Sequence, residues 1–274
     1  MGVVNASPES FSDGGLYDTL DEQTARAQEL VDAGAGIIDV GGESGVTGTA
    51  PLSSKEEAGR VVPLVERLVD TGMVVSVDTW KPSVVRAVLA AGAHIINDVS
   101  GLRDPDVADA CAATGAALVL MHTRAEPKQK EFPTYHDVVA DVVAFLQERM
   151  AIAIDRGVDP ETIIVDPGPD FAKTPAQTVA VLRRLDALGA LGRPVLLAIS
   201  RKDFIGALTQ RPPRQRDAGS LAAIGEGVDA GASILRVHDV GAVRDFLTVR
   251  AALRGDVVVP DDLHLSVKLR RERG

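Results

Sequence analysis

Gly34-Ala35-Gly36-Ile37-Ile38-Asp39 is the stretch that decides the fold, because its pattern returns along the chain. Glycine and alanine are followed by one variable residue, two aliphatic residues and a polar residue. Two further copies and a looser one run Gly92-Ala93-His94-Ile95-Ile96-Asn97, Gly231-Ala232-Ser233-Ile234-Leu235-Arg236 and Gly115-Ala116-Ala117-Leu118-Val119-Leu120-Met121-His122. Each copy predicts a helix end, a tight turn and a short buried strand. Because ligands of parallel α/β proteins bind at the carboxyl ends of strands, the polar ends predict one shared site.

Eight apolar runs alternate with amphipathic helical stretches from one end of the chain to the other. We predict strands over residues 1–5, 36–40, 74–78, 94–98, 117–121, 162–166, 195–200 and 233–237. Capping boxes predict two of the intervening helix starts, one from Thr19 with Glu22 and one from Ser53 with Glu56. Eight β–α units predict a single (β/α)8 TIM barrel over residues 1–274, with residues 255–274 as a C-terminal tail. A doubly wound sheet is the alternative, but no G-x-G-x-x-G motif follows the first strand.

The composition excludes several classes of protein. The formal net charge of −10 argues against nucleic acid as a partner, and we interpret the basic run at residues 268–273 as a solvated tail. No apolar run approaches the roughly 20 residues of a membrane span, and no signal peptide is recognisable. The single cysteine, Cys111, excludes an internal disulfide and predicts a cytoplasmic protein. Aromatic residues make up 3% of the chain, so we expect an aliphatic core.

The residues at the eight predicted strand ends are almost all polar: Asn5, Asp39, Asp78, Asn97, Met121 with His122, Asp166, Ser200 with Lys202, and Arg236 with His238. The carboxylates and amides of the middle strands can bind the N–H donors and ring acceptors of a flat heterocycle. The cations and hydroxyls follow strands seven and eight, where barrels of this kind commonly bind phosphate. The pattern therefore predicts a heterocycle at one side of the mouth and a phosphate group at the other.

Some of these residues have simpler interpretations. A single aspartate at a strand end is often the cap of the next helix, and we interpret Asp98 and Asp239 in that way. His122 is interpreted as a structural histidine, and Cys111 as a packing residue within a helix. No P-loop, G-x-S-x-G elbow or metal-ligand spacing occurs in the sequence. We therefore expect chemistry based on positioning, leaving-group stabilisation and electrostatics instead of a covalent nucleophile.

With these residues aligned, the chain resembles the dihydropteroate synthase family across essentially its whole length. The matching phrases are MGVVNASPESFSDGG (residues 1–15), IIDVGGES (37–44), VDTWKP (77–82), INDVSGL (96–102), LMH (120–122), DPG and FAKT (166–168 and 171–174), SRK (200–202) and RVHDV (236–240). Each phrase alone is weak. Together, in the order and spacing of the family, they are highly specific.

The resemblance implies a pterin-binding TIM barrel that condenses 6-hydroxymethyl-7,8-dihydropterin diphosphate with p-aminobenzoate, releasing diphosphate and forming dihydropteroate in folate biosynthesis. It implies catalytic roles for Lys202, Arg236, His238 and Asp78. It implies Mg²⁺ as the cofactor, held with the help of Asn5. The substrate contacts implied are Asp78, Asn97, Asp166 and Lys202 for the pterin, Arg236 and His238 for the diphosphate, Phe171 for the aminobenzoate, and Met121, Ser200, Asp39 and Asp13 around them.

Three departures from the family pattern affect this site. Gly45-Val46-Thr47 stands where the family has Thr-Arg-Pro after GGES, and Val46 cannot bind an anion. Asp170 replaces the family's glycine within DPGxGF and is expected to add negative charge near the aminobenzoate carboxylate. Ala198 stands where a glycine commonly precedes SRK and is expected to tighten the pterin floor.

These departures leave an alternative function open. The chain could be a pterin-binding paralogue without synthase activity, or a methyl-transfer barrel of the same group. Retention of Ser200, Lys202, Arg236 and His238 argues against it, because a pure pterin binder needs no diphosphate clamp. Since sulfonamides mimic p-aminobenzoate, the same departures predict reduced sulfonamide sensitivity. The resemblance further implies a homodimer formed through late helices, and the predicted partners are small-molecule substrates.

Overall fold

The computed structural model describes residues 1–6, 19–43, 50–266 and 269–270, and within them the polypeptide forms eight parallel strands in sequential order. Their bounds are β1 (Gly2–Asn5), β2 (Ile38–Gly41), β3 (Val75–Asp78), β4 (Ile95–Asp98), β5 (Ala117–Met121), β6 (Ile163–Asp166), β7 (Val195–Leu197) and β8 (Ala232–Leu235). All eight predicted strands are present, because each is a short aliphatic run bounded by turn residues.

The sheet closes on itself between β8 and β1. Val237 N–H donates to the Met1 carbonyl at 3.0 Å, and the Met1 amino group donates to the Leu235 carbonyl at 2.9 Å. An isolated parallel bridge pairs Gly2 with Val237. This closure confirms the predicted (β/α)8 barrel and excludes the doubly wound alternative, whose sheet would have two open edges.

Helices cover the outside of the barrel. Their bounds are α1 (Leu20–Asp32), α2 (Ser54–Asp70), α3 (Pro82–Ala90), α4 (Asp106–Thr114), α5 (Val138–Asp155), α6 (Pro175–Leu182), α7 (Asp203–Thr209), α8 (Asp217–Asp229) and α9 (Val240–Arg254). Both predicted capping boxes are present, with Thr19 and Ser53 each accepting a hydrogen bond from the N–H of the glutamate three residues later. Asp239 caps α9 as predicted, by accepting from Ala242 N–H. In the part of the chain that the structure describes, no helix has the length and apolar character needed to cross a bilayer.

The core consists of two aliphatic layers, as the scarcity of aromatic residues predicted. One lies between the strands and the helices, and it contains the fully buried Cys111 of α4. The other is smaller and fills the barrel itself with Ile95, Val119, Ile164, Leu196 and Ala198. The two layers follow from the alternation of side chains along each strand, which directs neighbours to opposite faces of the sheet.

Several predicted boundaries were wrong by two or three residues, and two of these errors affect the site. Strand β7 ends at Leu197 and not at Ser200, and β8 ends at Leu235 and not at Val237. The register between β7 and β8 shifts at Val195–Leu196, which shortens the regular pairing. Ser200 and Arg236 are therefore on connecting segments just beyond the strands. The predicted tail begins where α9 ends at Gly255, and residues 256–266 are exposed.

Candidate active site

The carboxyl ends of the strands surround a cavity of about 500 Å³. Its walls come from the ends of all eight strands and the segments that follow them, and they include Asn5, Asp78, Phe171, Ser200, Lys202 and His238. A volume of this size is typical of sites for small organic ligands. The barrel therefore brings six of the predicted polar residues to one mouth, namely Asn5, Asp78, Ser200, Lys202, Arg236 and His238.

Arg236 is the central cation of the mouth. Its Nε donates to Asp39 Oδ2 at 2.6 Å, and its Nη2 donates to Asp78 Oδ2 at 3.2 Å. Burial raises the pKa of Asp78 to about 7, and the nearby Arg236 guanidinium opposes that shift. The guanidinium is thus held by two carboxylates from β2 and β3, while part of its surface lines the cavity.

The structure places Asp39, which the resemblance implied as a substrate contact, inside β2 and not among the residues that line the cavity. Asp39 is fully buried, and its carboxylate accepts hydrogen bonds from Ser76 Oγ at 2.6 Å, Asn97 Nδ2 at 3.4 Å and Arg236. All of these partners belong to the barrel interior. Asp39 therefore orients Arg236 and Asn97 instead of facing the ligand. The sequence alone could not reveal these contacts, because the position of Asp39 in β2 indicates only that its side chain points into the barrel.

Asn97, Met121 and Asp166 do not line the cavity, and each is at most 3% exposed. The Asn97 amide nitrogen donates to Asp39, whereas its Oδ1 is buried and has no hydrogen-bond partner among the described residues. Buried acceptors without a partner are rare in folded proteins and often belong to a binding site. A ligand N–H group reaching the floor would satisfy this oxygen.

Asp166 ends β6 in a buried position where its Oδ1 accepts the N–H of Gly168 at 2.7 Å. Burial raises its pKa to about 6, although the hydrogen bond from Gly168 and the charge of Lys202 oppose the shift. Burial therefore favours the neutral form of Asp166 below about pH 6. Ionisation becomes easier once a ligand supplies donors or positive charge.

We expect this pKa shift to be visible in protein stability. Because the folded state keeps the Asp166 proton up to about pH 6 while the unfolded state loses it near 3.8, stability falls as pH rises through that window, by on the order of 2 to 3 kcal/mol. Asp166→Asn should remove this loss, so its stability relative to the unmodified protein should increase from about pH 4 to pH 6. Urea unfolding of both proteins at several pH values measures this difference in stability. The exposed Asp186→Asn is the control, and parallel curves for Asp166→Asn and the unmodified protein would contradict the assignment.

Ser200 and His238 form a second polar pair beside Arg236. Ser200 Oγ lies 3.0 Å from His238 Nδ1, and it also accepts from the His238 backbone N–H at 3.4 Å. Both residues line the cavity. Together with the Arg236 guanidinium they present a hydroxyl, an imidazole and a cation to the same face, which suits the oxygens of an anionic group.

Lys202 also lines the cavity, and its Nζ lies 4.2 Å from the centre of the Phe171 ring. The turn that carries Lys202 is held by Arg216, whose Nη1 donates to the carbonyls of Arg201 at 2.9 Å and Lys202 at 3.2 Å. A Cβ on Gly206 would lie 2.3 Å from the Arg216 guanidinium, so only glycine leaves room for this contact. Sequence reasoning missed Arg216, because nothing in its local sequence indicates contact with a turn fifteen residues earlier.

A buried lysine that sequence reasoning also missed supports the loop after β6. Lys173 is 1% exposed and donates to the carbonyls of Gly168 at 2.9 Å and Phe171 at 3.1 Å, while its Nζ lies 2.7 Å from His122 Nδ1. Burial lowers the pKa of His122 to about 3, so the ring is neutral and its Nε2–H donates to Asp141. His122 is thus the structural histidine that was predicted. In the sequence, Lys173 could have been identified from its position within the FAKT phrase.

The described residues contain no group of three or more His, Cys, Asp or Glu side chains that could hold a metal ion. The carboxamide oxygen of Asn5, which lines the cavity, is the kind of single hard ligand that Mg²⁺ accepts when phosphate oxygens and water complete its octahedral shell. The residues present therefore fit Mg²⁺ that arrives with a phosphorylated ligand and do not form a complete site by themselves.

Two sequence expectations lie outside the described residues, namely Asp13 as a substrate contact and the altered segment Gly45-Val46-Thr47. The other two departures are described. Ala198 is 9% exposed and borders the cavity. Asp170 also borders it, and its carboxylate accepts the N–H of Phe204 at 3.1 Å and the hydroxyl of Thr178 at 3.1 Å. The negative charge of the Asp170 carboxylate is therefore stabilised by hydrogen bonds from Phe204 and Thr178 of the protein itself.

Comparisons with known proteins place the chain in a family. Residues 1–238 match the family model described as pterin binding enzyme. Dihydropteroate synthase of Bacillus subtilis (strain 168) is 45% identical over 242 residues, covering 88% of this chain and 83% of that protein. Dihydropteroate synthase from Xanthomonas albilineans in complex with 7,8-dihydropteroate superposes with a TM-score of 0.83 at 45% identity, covering 95% of this chain and 94% of that one. A sulfonamide drug complex of the Yersinia pestis enzyme superposes with a TM-score of 0.89 at 38% identity, covering 93% and 94%.

Proposed function

This chain belongs to the pterin-binding enzyme family, and from that membership we propose how its own residues carry out the dihydropteroate synthase reaction. The reaction is the transfer of a pterinylmethyl group from 6-hydroxymethyl-7,8-dihydropterin diphosphate to p-aminobenzoate in folate biosynthesis. The observation that carries the assignment is one cavity with carboxylates and an amide beneath its floor and cations at its rim.

The pterin binds at the floor. Asn97 Oδ1, which has no partner among the described residues, accepts an N–H of the heterocycle, and Asp166 and Asp78 accept others. Lys202 donates to a pterin acceptor atom from the side. Met121 forms part of the apolar surface beneath the ring. The raised pKa values of Asp78 and Asp166 support this arrangement, because both carboxylates lie in a desolvated site that favours ligand donors.

The diphosphate binds at the rim, where Arg236, His238 and Ser200 offer donors to its oxygens. The amine of p-aminobenzoate, packed beside Phe171, attacks the methylene carbon of the pterin. The carbon–nitrogen bond forms as the carbon–oxygen bond breaks, diphosphate leaves with the electron pair, and the amine loses one proton. Arg236 and His238 stabilise the charge that develops on the leaving group, which is the main electrostatic contribution expected of this chain.

Mg²⁺ is part of the proposal, with Asn5 as its ligand from this chain. When bound, the ion would neutralise part of the diphosphate charge. Calorimetric titration checks this: Mg²⁺ should bind weakly to the protein alone and tightly together with pterin diphosphate. Equal affinity in both titrations would contradict it.

The test of the function is formation of dihydropteroate by the purified protein from pterin diphosphate, p-aminobenzoate and Mg²⁺. We expect turnover, and Lys202→Ala should lower kcat/KM at least about tenfold because a charged contact to substrate is lost. Lys55→Ala, on the exposed side of α2, is the matched control. Absence of turnover in a protein that still binds the pterin would overturn the proposal and favour the paralogue without synthase activity.

Reduced sulfonamide sensitivity is a narrower proposal, motivated by the altered segment Gly45-Val46-Thr47 and by Asp170 beside Phe171. The structure of the Yersinia pestis enzyme with a sulfonamide drug concerns a relative that is 38% identical. The decisive comparison is the sulfonamide inhibition constant against the KM for p-aminobenzoate. A potent inhibition constant with an ordinary KM would count against reduced sensitivity.

A homodimer in the cytoplasm completes the proposal. The exposed aliphatic side chains Leu208 of α7 and Val249 and Leu253 of α9 support association through the late helices. The single cysteine, Cys111, is buried, which suits a reducing compartment. Sedimentation velocity distinguishes a dimer from a monomer, and fractionation of cells that produce the protein tests its location.

A further inference from the structure

Asp170 has an unusual backbone conformation at the edge of the cavity. Its φ is +65°, in the left-handed region that favours glycine, and it precedes Phe171 in the loop after β6. A non-glycine residue in this region is uncommon and carries a conformational cost. Favourable contacts of the aspartate side chain must therefore offset that cost.

The carboxylate of Asp170 connects three segments of the barrel mouth. Its Oδ1 accepts the hydroxyl of Thr178 in α6 at 3.1 Å, and its Oδ2 accepts the backbone N–H of Phe204 in the first turn of α7 at 3.1 Å. The Asp170 N–H also donates to Thr178 Oγ1 at 3.1 Å. A glycine at this position could not make the two carboxylate contacts. The side chain therefore fixes the loop after β6 against the start of α7.

Lys202 immediately precedes α7, two residues before Phe204, whose backbone N–H donates to the Asp170 carboxylate. Burial lowers the pKa of Lys202, and the negative charge of Asp170 opposes the shift, followed by that of Asp166. The charged groups around the Lys202 ammonium come from the loop after β6, from the ends of β6 and β3 and from the segment after β8: Asp170, Lys173, Asp166, Asp78 and Arg236. Because Arg236 and Lys173 repel the ammonium, each neighbouring carboxylate contributes to keeping it charged.

We propose that Asp170 is a positioning residue, which holds Lys202 charged and in place beside Phe171 through its contacts to α6 and α7. The inference rests on the proposed role of Lys202 in binding substrate. In that role the charged ammonium donates to the ligand, so a Lys202 that loses its proton makes only the weaker contact of a neutral amine. The additional aspartate, which borders the cavity itself, thus serves the pterin and aminobenzoate site by positioning Lys202.

The kinetic test compares Asp170→Asn and Asp170→Gly with the unmodified protein. Both variants remove the negative charge, so the Lys202 pKa should fall and the alkaline limb of the kcat/KM profile should move down by about half to one pH unit. Asp170→Gly suits a φ of +65°, so it keeps the test valid if the asparagine variant folds poorly. Asp186→Asn, an exposed change of equal charge, should leave the limb in place. A uniform loss at all pH values, with no movement of the limb, would mean that Asp170 only holds the loops together and would overturn the proposal.

A second measurement needs no turnover. Competitive acetylation with acetic anhydride, followed by mass spectrometry of the Lys202 peptide, reports the pH at which this amine becomes reactive in the free protein. The midpoint should fall by about half to one pH unit in both Asp170 variants. An unchanged midpoint would overturn the inference even in an active enzyme. A shifted midpoint in a protein that makes no dihydropteroate would support the inference while the proposed function fails.

Discussion

Replacing Arg236 with alanine is expected to lower kcat/KM about a hundredfold or more and to destabilise the protein by about 3 kcal/mol. The activity falls because the rim loses the cation proposed to bind diphosphate. The stability falls because Asp39, fully buried and 2.6 Å from the Arg236 guanidinium, would lose its counter-charge. Steady-state kinetics and urea unfolding measure the two effects separately.

A second substitution separates the two roles of Arg236. Arg236→Ala combined with Asp39→Asn removes the fully buried unpaired carboxylate and leaves only the partly exposed Asp78 without the guanidinium, so stability should recover in part while kcat/KM stays low. Arg156→Ala removes an exposed ion pair with Asp109 and is the matched control, with an expected stability change of about 1 kcal/mol or less. Near-normal kinetics for Arg236→Ala would show that the diphosphate site has been assigned wrongly.

Gly168→Ala should be the most destabilising single methyl group added at the mouth, with a loss of about 3 kcal/mol or more. Gly168 has a φ of +63°, and a Cβ there would lie 2.0 Å from the His122 carbonyl oxygen. That oxygen is part of the backbone next to β5, so it cannot move aside as a flexible side chain would. The loop would shift, and the bonds of Gly168 to Asp166 and Lys173 would be strained with it.

Gly115→Ala provides the matched control. Gly115 caps α4 with a φ of +73°, but no atom lies within 4 Å of the position of its Cβ. We expect only the conformational cost of about 1 kcal/mol that alanine has in the left-handed region. Urea unfolding of both variants isolates the steric contribution, and equal losses would mean that the loop after β6 adapts more easily than its contacts indicate. Pterin binding should weaken in Gly168→Ala alone.

The strand ends show how far local sequence can predict a site. Asn5, Asp78 and Asp166 were expected at the mouth because each follows a short aliphatic run, and the structure brings them there. The expectation depended only on the alternation of strands and helices and on the parallel direction of the strands. Their proposed roles toward pterin, diphosphate and Mg²⁺ came from the family resemblance and stay predictions.

The supporting contacts were beyond local sequence. Asp39 lies 197 residues from Arg236 in the chain, yet their side chains pair directly. Lys173 lies 51 residues from His122, and only the packing of β5 against β6 brings the two together. Such pairs have no periodicity or spacing that a sequence pattern can express. The pairing of Asp39 with Arg236 and the contacts of Asp170 with Thr178 and Phe204 were therefore not foreseen.

The amino-acid sequence by itself determined the eight β–α units, the closed barrel and the polar strand ends, because these follow from short-range pattern and backbone chemistry. The tertiary structure alone decided which of those polar groups face the cavity and which orient their neighbours. The Gly-Ala-aliphatic phrase gives Asp39, Asn97 and Arg236 the same place in the sequence pattern, yet Asp39 and Asn97 are buried whereas Arg236 lines the cavity. The physical reason is that burial and charge pairing depend on groups distant in the chain, which meet only when the barrel closes.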